Sequence, residues 1–223
     1  MSFTVEYESL ISQIVEIELE MFRTVNSTVH SPCQDYLNTF RTMRWMHHSV
    51  LPQVVLQSYL EDLRLAKSSK RNFMTEKYAR MENRIPPLKE SPKLDAIVSI
   101  EMDWMRDIAE RYPATFEQRG ENFRTYIACE LEMLSDKTLD LLHATVCTAR
   151  EQHRNLVEER YTNLFRKTGG MSLREREEEA AKNVADSVTD SVLGKVSGYT
   201  SGKVSGKVLG NVSDNISDKI SEK

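Results

Sequence analysis

Ile14-Val15-Glu16-Ile17-Glu18 and, 83 residues later, Ile97-Val98-Ser99-Ile100-Glu101 are one pattern written twice, and that pattern decides the fold. Around the first copy, Ile11, Ile14, Val15, Met21, Phe22 and Val25 recur at steps of three and four. Around the second, Leu94, Ile97, Val98, Trp104, Met105 and Ile108 do the same. Such steps put an apolar stripe on one side of an α-helix. In both copies a glutamate, Glu18 or Glu101, stands inside the stripe.

Working outward, the offset of 83 holds without a gap from Ile14 to Leu164. Phe40-Arg41-Thr42 meets Phe123-Arg124-Thr125, Arg71-Asn72 meets Arg154-Asn155, and Glu76 and Tyr78 meet Glu159 and Tyr161. Fifteen of the 68 pairs starting at Ile14 to Met81 are identical, where chance supplies about four. A second helix is expected from about Leu37 to Lys67, kinked or broken at Pro52, with Glu121 to Arg150 as its straighter counterpart because Ser135 replaces the proline. A third covers Asn72 to Met81, and again Asn155 to Phe165. Nothing alternates with a strand-like period. The expectation is an all-α helical bundle made of two tandem copies of a three-helix unit, about residues 8–81 and 91–164, related by a pseudo-two-fold axis. Asn83-Arg84-Ile85-Pro86-Pro87 is the linker between them.

After Thr168-Gly169-Gly170 the composition changes, which sets a duplicated domain of residues 1–170 against a region 171–223. Arg174 to Lys182 is a charged helix candidate. Beyond it, Val184, Val188, Val192, Val196, Val204, Val208, Val212, Ile216 and Ile220 keep a four-residue step through Ser, Gly, Asp, Lys and Asn. A step of four overshoots 3.6, and glycines and β-branched residues oppose helix, so this low-complexity tail is expected to be disordered or to order on a partner or another copy.

Composition narrows the function classes. The chain has 223 residues and a formal charge of -4, with both signs mixed along its length. No basic stripe marks a nucleic-acid binder. No apolar run reaches the roughly 20 residues of a membrane span, and Met1 to Glu6 has no signal-peptide character. Cys33, Cys129 and Cys147 form no paired motif, so a reducing, cytoplasmic setting is expected.

A carboxylate in an apolar stripe needs a partner or a proton. Along Phe40, Met43, His47 and Leu51, His47 is read as facing inward and His48 as facing elsewhere; along Phe123, Tyr126, Glu130 and Leu134, Glu130 takes the same slot. Glu18, His47, Glu101 and Glu130 are therefore the candidate metal ligands, suited to Fe or Mn, with Glu18 and Glu101 as the candidate catalytic carboxylates converging on one cavity. The competing reading pairs the glutamates with Arg41 and Arg124, or with Arg71 and Arg154, as plain packing anchors. Asn72 and Asn155 are read as turn or cap residues, and Cys33 as a thiol in a loop before the second helix.

Glu18-Leu19-Glu20-Met21-Phe22, Cys33-Gln34-Asp35, Tyr59-Leu60-Glu61-Asp62-Leu63 and Arg71 to Met81 carry a resemblance, together with Phe123-Arg124-Thr125-Tyr126, Glu130-Leu131 and Arg154-Asn155-Leu156. Over about residues 8–170 the chain resembles the family known as domain of unknown function 4125. The glycine-rich lead-in expected before Cys33 is replaced by Thr28 to Pro32. The resemblance implies a fold unit and no reaction. The sequence thus leaves an accessory enzyme of small-molecule metabolism, with a polar pocket between the copies, against a non-catalytic helical interaction or scaffold module that uses the tail for contact.

Overall fold

The computed structural model describes residues 4–25, 37–116 and 120–183, and it is all-α. Eight helices run in order: α1 (Val5–Phe22), α2 (Leu37–His48), α3 (Gln53–Ser68), α4 (Phe73–Met81), α5 (Pro92–Arg111), α6 (Glu121–Leu131), α7 (Asp136–Glu151) and α8 (Leu156–Gly169). A further helix, α9, covers 173–183. Among the described residues there is no strand, and no helix is long and apolar enough to cross a membrane.

Each expected long second helix is two helices. Pro52 lacks an amide proton and stands as N-cap of α3 in extended conformation. The chain also breaks at Ser135, where a straighter helix was expected. Ser135 adopts an extended N-cap conformation and accepts a hydrogen bond from the Thr138 amide, starting α7. Ser135 starts α7 as Pro52 starts α3, so each copy holds four helices, not three, and α9 follows the second copy.

α1 packs on α2, α3 and α4, and α5 packs on α6, α7 and α8. The two sets meet through α3 on α7, α2 on α8, and α4 on α6. Ile11, Ile14, Leu56 and Leu63 are fully buried in the first set, and Ile97, Ile108, Leu139 and Val146 lie as deep in the second. At the α3–α7 seam the Ser58 and Thr138 hydroxyls are hydrogen-bonded at 2.7 Å.

Two asparagines fix the chain entering α4 and α8. Asn72 accepts from the Thr75 amide at 2.9 Å and donates to the Met21 carbonyl at the end of α1. Asn155 accepts from the Glu158 amide at 3.0 Å and donates to the Trp104 carbonyl of α5. Each amide side chain therefore caps one helix and ties it to another. The residues two before them, Lys70 and His153, take positive φ (59° and 54°), and the Arg71 and Arg154 amides reach back to the Ala66 and Ala149 carbonyls. This is the usual closure of a helix through a left-handed residue.

α9 is held to the bundle. Ser172 and Glu175 form a capping box at its start. Leu173 is buried, and the Glu177 carboxylate accepts from the Ala114 and Thr115 amides at 2.9 and 2.8 Å. The glycine pair at 169–170 ends α8, with Gly170 left-handed, but the packed chain continues through it. The valine-step tail beyond 183 and the Cys33 loop lie outside the described residues.

Two outcomes follow for stability. Asn72→Ala and Asn155→Ala should each cost about 1–2 kcal/mol, as a lost cap and a buried hydrogen bond together; urea unfolding reads this, and two silent variants would refute the tying role. Truncation after residue 183 should leave the unfolding midpoint nearly unchanged, whereas truncation after 170 should lower it by removing Leu173 and Glu177. Equal midpoints for the two truncations would show that α9 is an idle appendage.

Candidate functional site

The site begins with Glu18 on α1, which is fully buried. Its carboxylate is surrounded by donors. Arg44 of α2 donates from Nε at 2.9 Å and from Nη2 at 2.6 Å. The Tyr59 hydroxyl of α3 donates at 2.8 Å. His48 Nε2 lies 3.1 and 3.2 Å from the two oxygens. Burial pushes the Glu18 carboxyl up, but the charges and hydrogen bonds of Arg44 and His48 outweigh it and hold it well below the usual carboxylate range. Burial and the neighbouring Glu18 push the Tyr59 hydroxyl well up, so it remains a donor.

Arg44 does a second thing. Its Nη2 also lies 2.7 Å from Oε1 of Glu130 on α6. One buried guanidinium thereby bridges a carboxylate of the first helix set and one of the second. Glu130 is completed by Lys77 of α4, whose Nζ donates at 2.5 Å and sits 3.5 Å from the centre of the Tyr126 ring. Burial lowers the Lys77 ammonium, yet Glu130 and Tyr126 more than restore it, and its pKa is raised. Burial raises Glu130, but Arg44, Lys77 and His47 bring it well below its ordinary value. Both ends of this pair stay charged.

His47 closes the outer edge. Its Nε2 lies 3.4 Å from Glu130 Oε1, and its side chain is 31 % exposed against 14 % for Glu130. Burial is the largest influence on the ring and lowers its pKa; Glu130 opposes this, while Arg160, Arg44 and His48 add to it. The result lies well below 6.5, chiefly because burial disfavours the charged ring, with Arg160, Arg44 and His48 adding to it.

Glu101 on α5 is buried as well, and it has a different partner. Arg160 of α8 donates from Nη1 and Nη2 at 2.6 and 2.7 Å. The Arg160 Nε is buried with no hydrogen-bond partner among the described residues.

Of the four residues singled out from the sequence, the structure joins Glu18, His47 and Glu130 through Arg44 and leaves Glu101 in its own pair. Glu18 and Glu101 are buried as expected but do not share one set of partners. Among the described residues no group of three or more His, Cys, Asp or Glu side chains is placed to hold a metal ion. The oxygens offered to Fe or Mn are taken by guanidinium, ammonium and phenol protons. The duplicated arginines are not the partners: Arg41 pairs with exposed Glu16, Arg71 with Glu76 and Arg154 with Glu159, while Arg124 is exposed.

The functional residues that sequence reasoning missed are Arg44, His48, Tyr59, Lys77, Tyr126 and Arg160. His48, read as facing elsewhere, is 2 % exposed and bound to Glu18. A signal existed for four of them. Phe40, Arg44 and His48 form a four-residue ladder on one face of α2, all buried. Arg160 stands within the stripe Leu156, Val157, Tyr161 and Leu164, and the residue 83 before it is Lys77.

The family model described as "Protein of unknown function (DUF4125)" matches residues 8–178. No curated protein and no solved structure matches the chain.

Arg44→Met should cost about 3–5 kcal/mol, because it removes the cation shared by buried Glu18 and half-buried Glu130, leaving Glu18 with only His48 and Tyr59. Arg41→Met, at an exposed pair, should cost under about 1 kcal/mol. Comparable losses in chemical denaturation would refute the ranking. The pH dependence has a definite sign. Glu18 and Glu130 are depressed, so their contribution is full above the unfolded carboxyl range and is lost as pH falls below it. His47 is depressed too, so below about pH 6.5 the unfolded chain takes up a proton that the folded chain resists, and stability falls with acid there. His47→Gln should flatten the stability profile between about pH 6.5 and 5 and leave the steeper acid limb in place; an unchanged slope would refute the assignment.

Proposed function

The chain belongs to the DUF4125 family, whose description carries no activity, and we propose from the site alone that it is an enzyme of small-molecule metabolism performing proton transfer at the α2–α6 edge. The observation that carries this reading is a partly open imidazole, His47, 3.4 Å from a carboxylate, Glu130, that two buried cations, Arg44 and Lys77, contact. A general base must be unprotonated at working pH and within reach of its substrate. The lowered pKa of His47 supports the first requirement, and its partial exposure supports the second. On taking a proton it becomes imidazolium, and Glu130 at 3.4 Å stabilises that charge. Arg44 and Lys77 hold Glu130 well below its ordinary carboxyl value, which favours its ionised form. Met43, beside His47 on α2, and Tyr126 and Ile127 on α6 are half-buried, with Met43 and Ile127 packed against the core.

Glu18 and Glu101 act here as positioning residues: one orients Arg44, the other engages Arg160. The mechanism is written with the chain's own protons, because an Fe or Mn ion would have to displace Arg44 from both of its carboxylates. The working compartment is taken to be the cytoplasm, given free Cys129 and Cys147. The valine-step tail is assigned to contacts outside catalysis.

A second reading has its own support. Glu18 is saturated by Arg44, His48 and Tyr59, and Glu101 by Arg160, which is what a non-catalytic helical scaffold would need to fix its packing. Ligand-dependent thermal shifts separate the two. A panel of polar metabolites should contain compounds that raise the midpoint of the natural protein and fail to do so for His47→Gln and Glu130→Gln. If no compound shifts it, or if the shifts survive both substitutions, the enzyme reading at this edge is lost and the scaffold reading stands.

A further inference from the structure

On α7, away from the Glu130 edge, His143 and Cys147 stand one helical turn apart, with Nε2 and Sγ separated by 3.5 Å. Residues four apart share a helix face, so both side chains lean the same way. Both are half-buried, and Cys147 packs against the core. Nearby polar groups are engaged elsewhere: the Thr145 hydroxyl donates to the Leu141 carbonyl at 2.8 Å, and Asp140 pairs with Lys93 at 2.6 Å. Among the described residues, the sulfur and the ring nitrogen have each other and no further hydrogen-bond partner.

The separation has a chemical meaning. Zinc bonds thiolate sulfur at about 2.3 Å and imidazole nitrogen at about 2.0–2.1 Å in tetrahedral geometry, which sets the two ligand atoms about 3.5–3.6 Å apart. The pair, in hydrogen-bond contact at 3.5 Å, already stands at that spacing. We infer that His143 and Cys147 form a two-residue chelate for a borderline divalent cation of the zinc type, with two coordination positions left to water. Oxygen-preferring cations such as Mg2+ and Ca2+ gain nothing from a thiolate and an imidazole and are not taken. Binding releases the thiol proton to solvent, Cys–SH giving a metal-bound thiolate and one H+, so occupancy rises with pH. The imidazole binds as the neutral base. No electron moves, and no further reactant is required.

The inference is independent of the proton-transfer site, since α7 contributes none of the groups around Glu130. Its test uses the full chain, reduced, with Co2+ as the spectroscopic probe and Zn2+ as competitor. Co2+ should produce a thiolate-to-cobalt charge-transfer band and visible bands of tetrahedral intensity, both abolished by excess Zn2+. Zn2+ should also slow the reaction of one thiol with a disulfide reagent. Cys147→Ser should remove the charge-transfer band. His143→Ala should weaken Zn2+ binding by more than about tenfold, because even the outer partners of a metal ligand are worth that much. Cys33→Ser should leave the band intact, and far-ultraviolet dichroism should show all three variants folded. Absence of the band in the natural protein overturns the inference. So does a band that survives Cys147→Ser, or Zn2+ affinity unchanged by His143→Ala.

Discussion

The guanidinium of Arg44 is the interaction on which the rest of the interior depends. It lies between Glu18 at 2.6 Å and Glu130 at 2.7 Å, one from each set of four helices. A planar fork can serve two carboxylates at once, where an ammonium would act as a point charge for one. α1, α2 and α6 are thereby fixed relative to one another at a single buried atom group. Lys77 brings α4 to the same carboxylate, and Tyr59 brings α3 to Glu18. Apolar packing places these helices in contact over broad surfaces and is indifferent to small slips. The ion network is directional, so it selects one register among the packings that the apolar stripes would allow.

The network is lopsided, and this is informative. Glu18 and Glu101 stand 83 residues apart in equivalent stripes, and both are buried. The groups around Glu18 are Arg44, His48 and Tyr59; the residues 83 further on are Ile127, Leu131 and Leu142. The second glutamate thus has no cation from its own second helix and takes one from α8 instead. Lys77, at the place corresponding to Arg160, pairs with Glu130 across the seam while Arg44 serves Glu18. One substitution pattern in α2 therefore reroutes the partner of α4 and assembles charge at the seam instead of leaving it inside each half.

Much of this was legible in the sequence, and the misses have physical causes. The helical class, the burial of Glu18 and Glu101, the break at Pro52 and the capping by Asn72 and Asn155 follow from periodicity, chemistry at fixed offsets and the missing proline amide. The phase of α2 did not. Leu51 was counted as the last rung of a stripe through Met43 and His47, but α2 stops at His48 and Leu51 lies in the connection before α3. Without that false rung the buried face runs through Phe40, Arg44 and His48. The break at Ser135 was missed because serine is neutral within a helix pattern and shows its capping role only when the Thr138 amide is in place. Lys77 and Arg160 were passed over because long cationic side chains are normally on the surface, and nothing local shows that a carboxylate from another helix will meet them.

The choice between an anchor and a working site turns on cost. Burying ion pairs gains little stability, and apolar replacements of similar volume are often neutral or better. This chain contains the comparison within itself. At the places matching Arg44, His48 and Tyr59, the second set of helices carries isoleucine and leucines, and Leu131 and Leu142 are buried. The slot therefore accepts an apolar filling in a bundle of this kind. A polar filling in the first set costs desolvation that packing did not require. What it yields is a Glu130 held well below its ordinary pKa at the edge of the interior, with His47, its own pKa lowered, beside it. A scaffold needs neither that charge nor that imidazole at a partly open edge, whereas proton transfer needs both, and this asymmetry is the physical ground for preferring the enzyme reading.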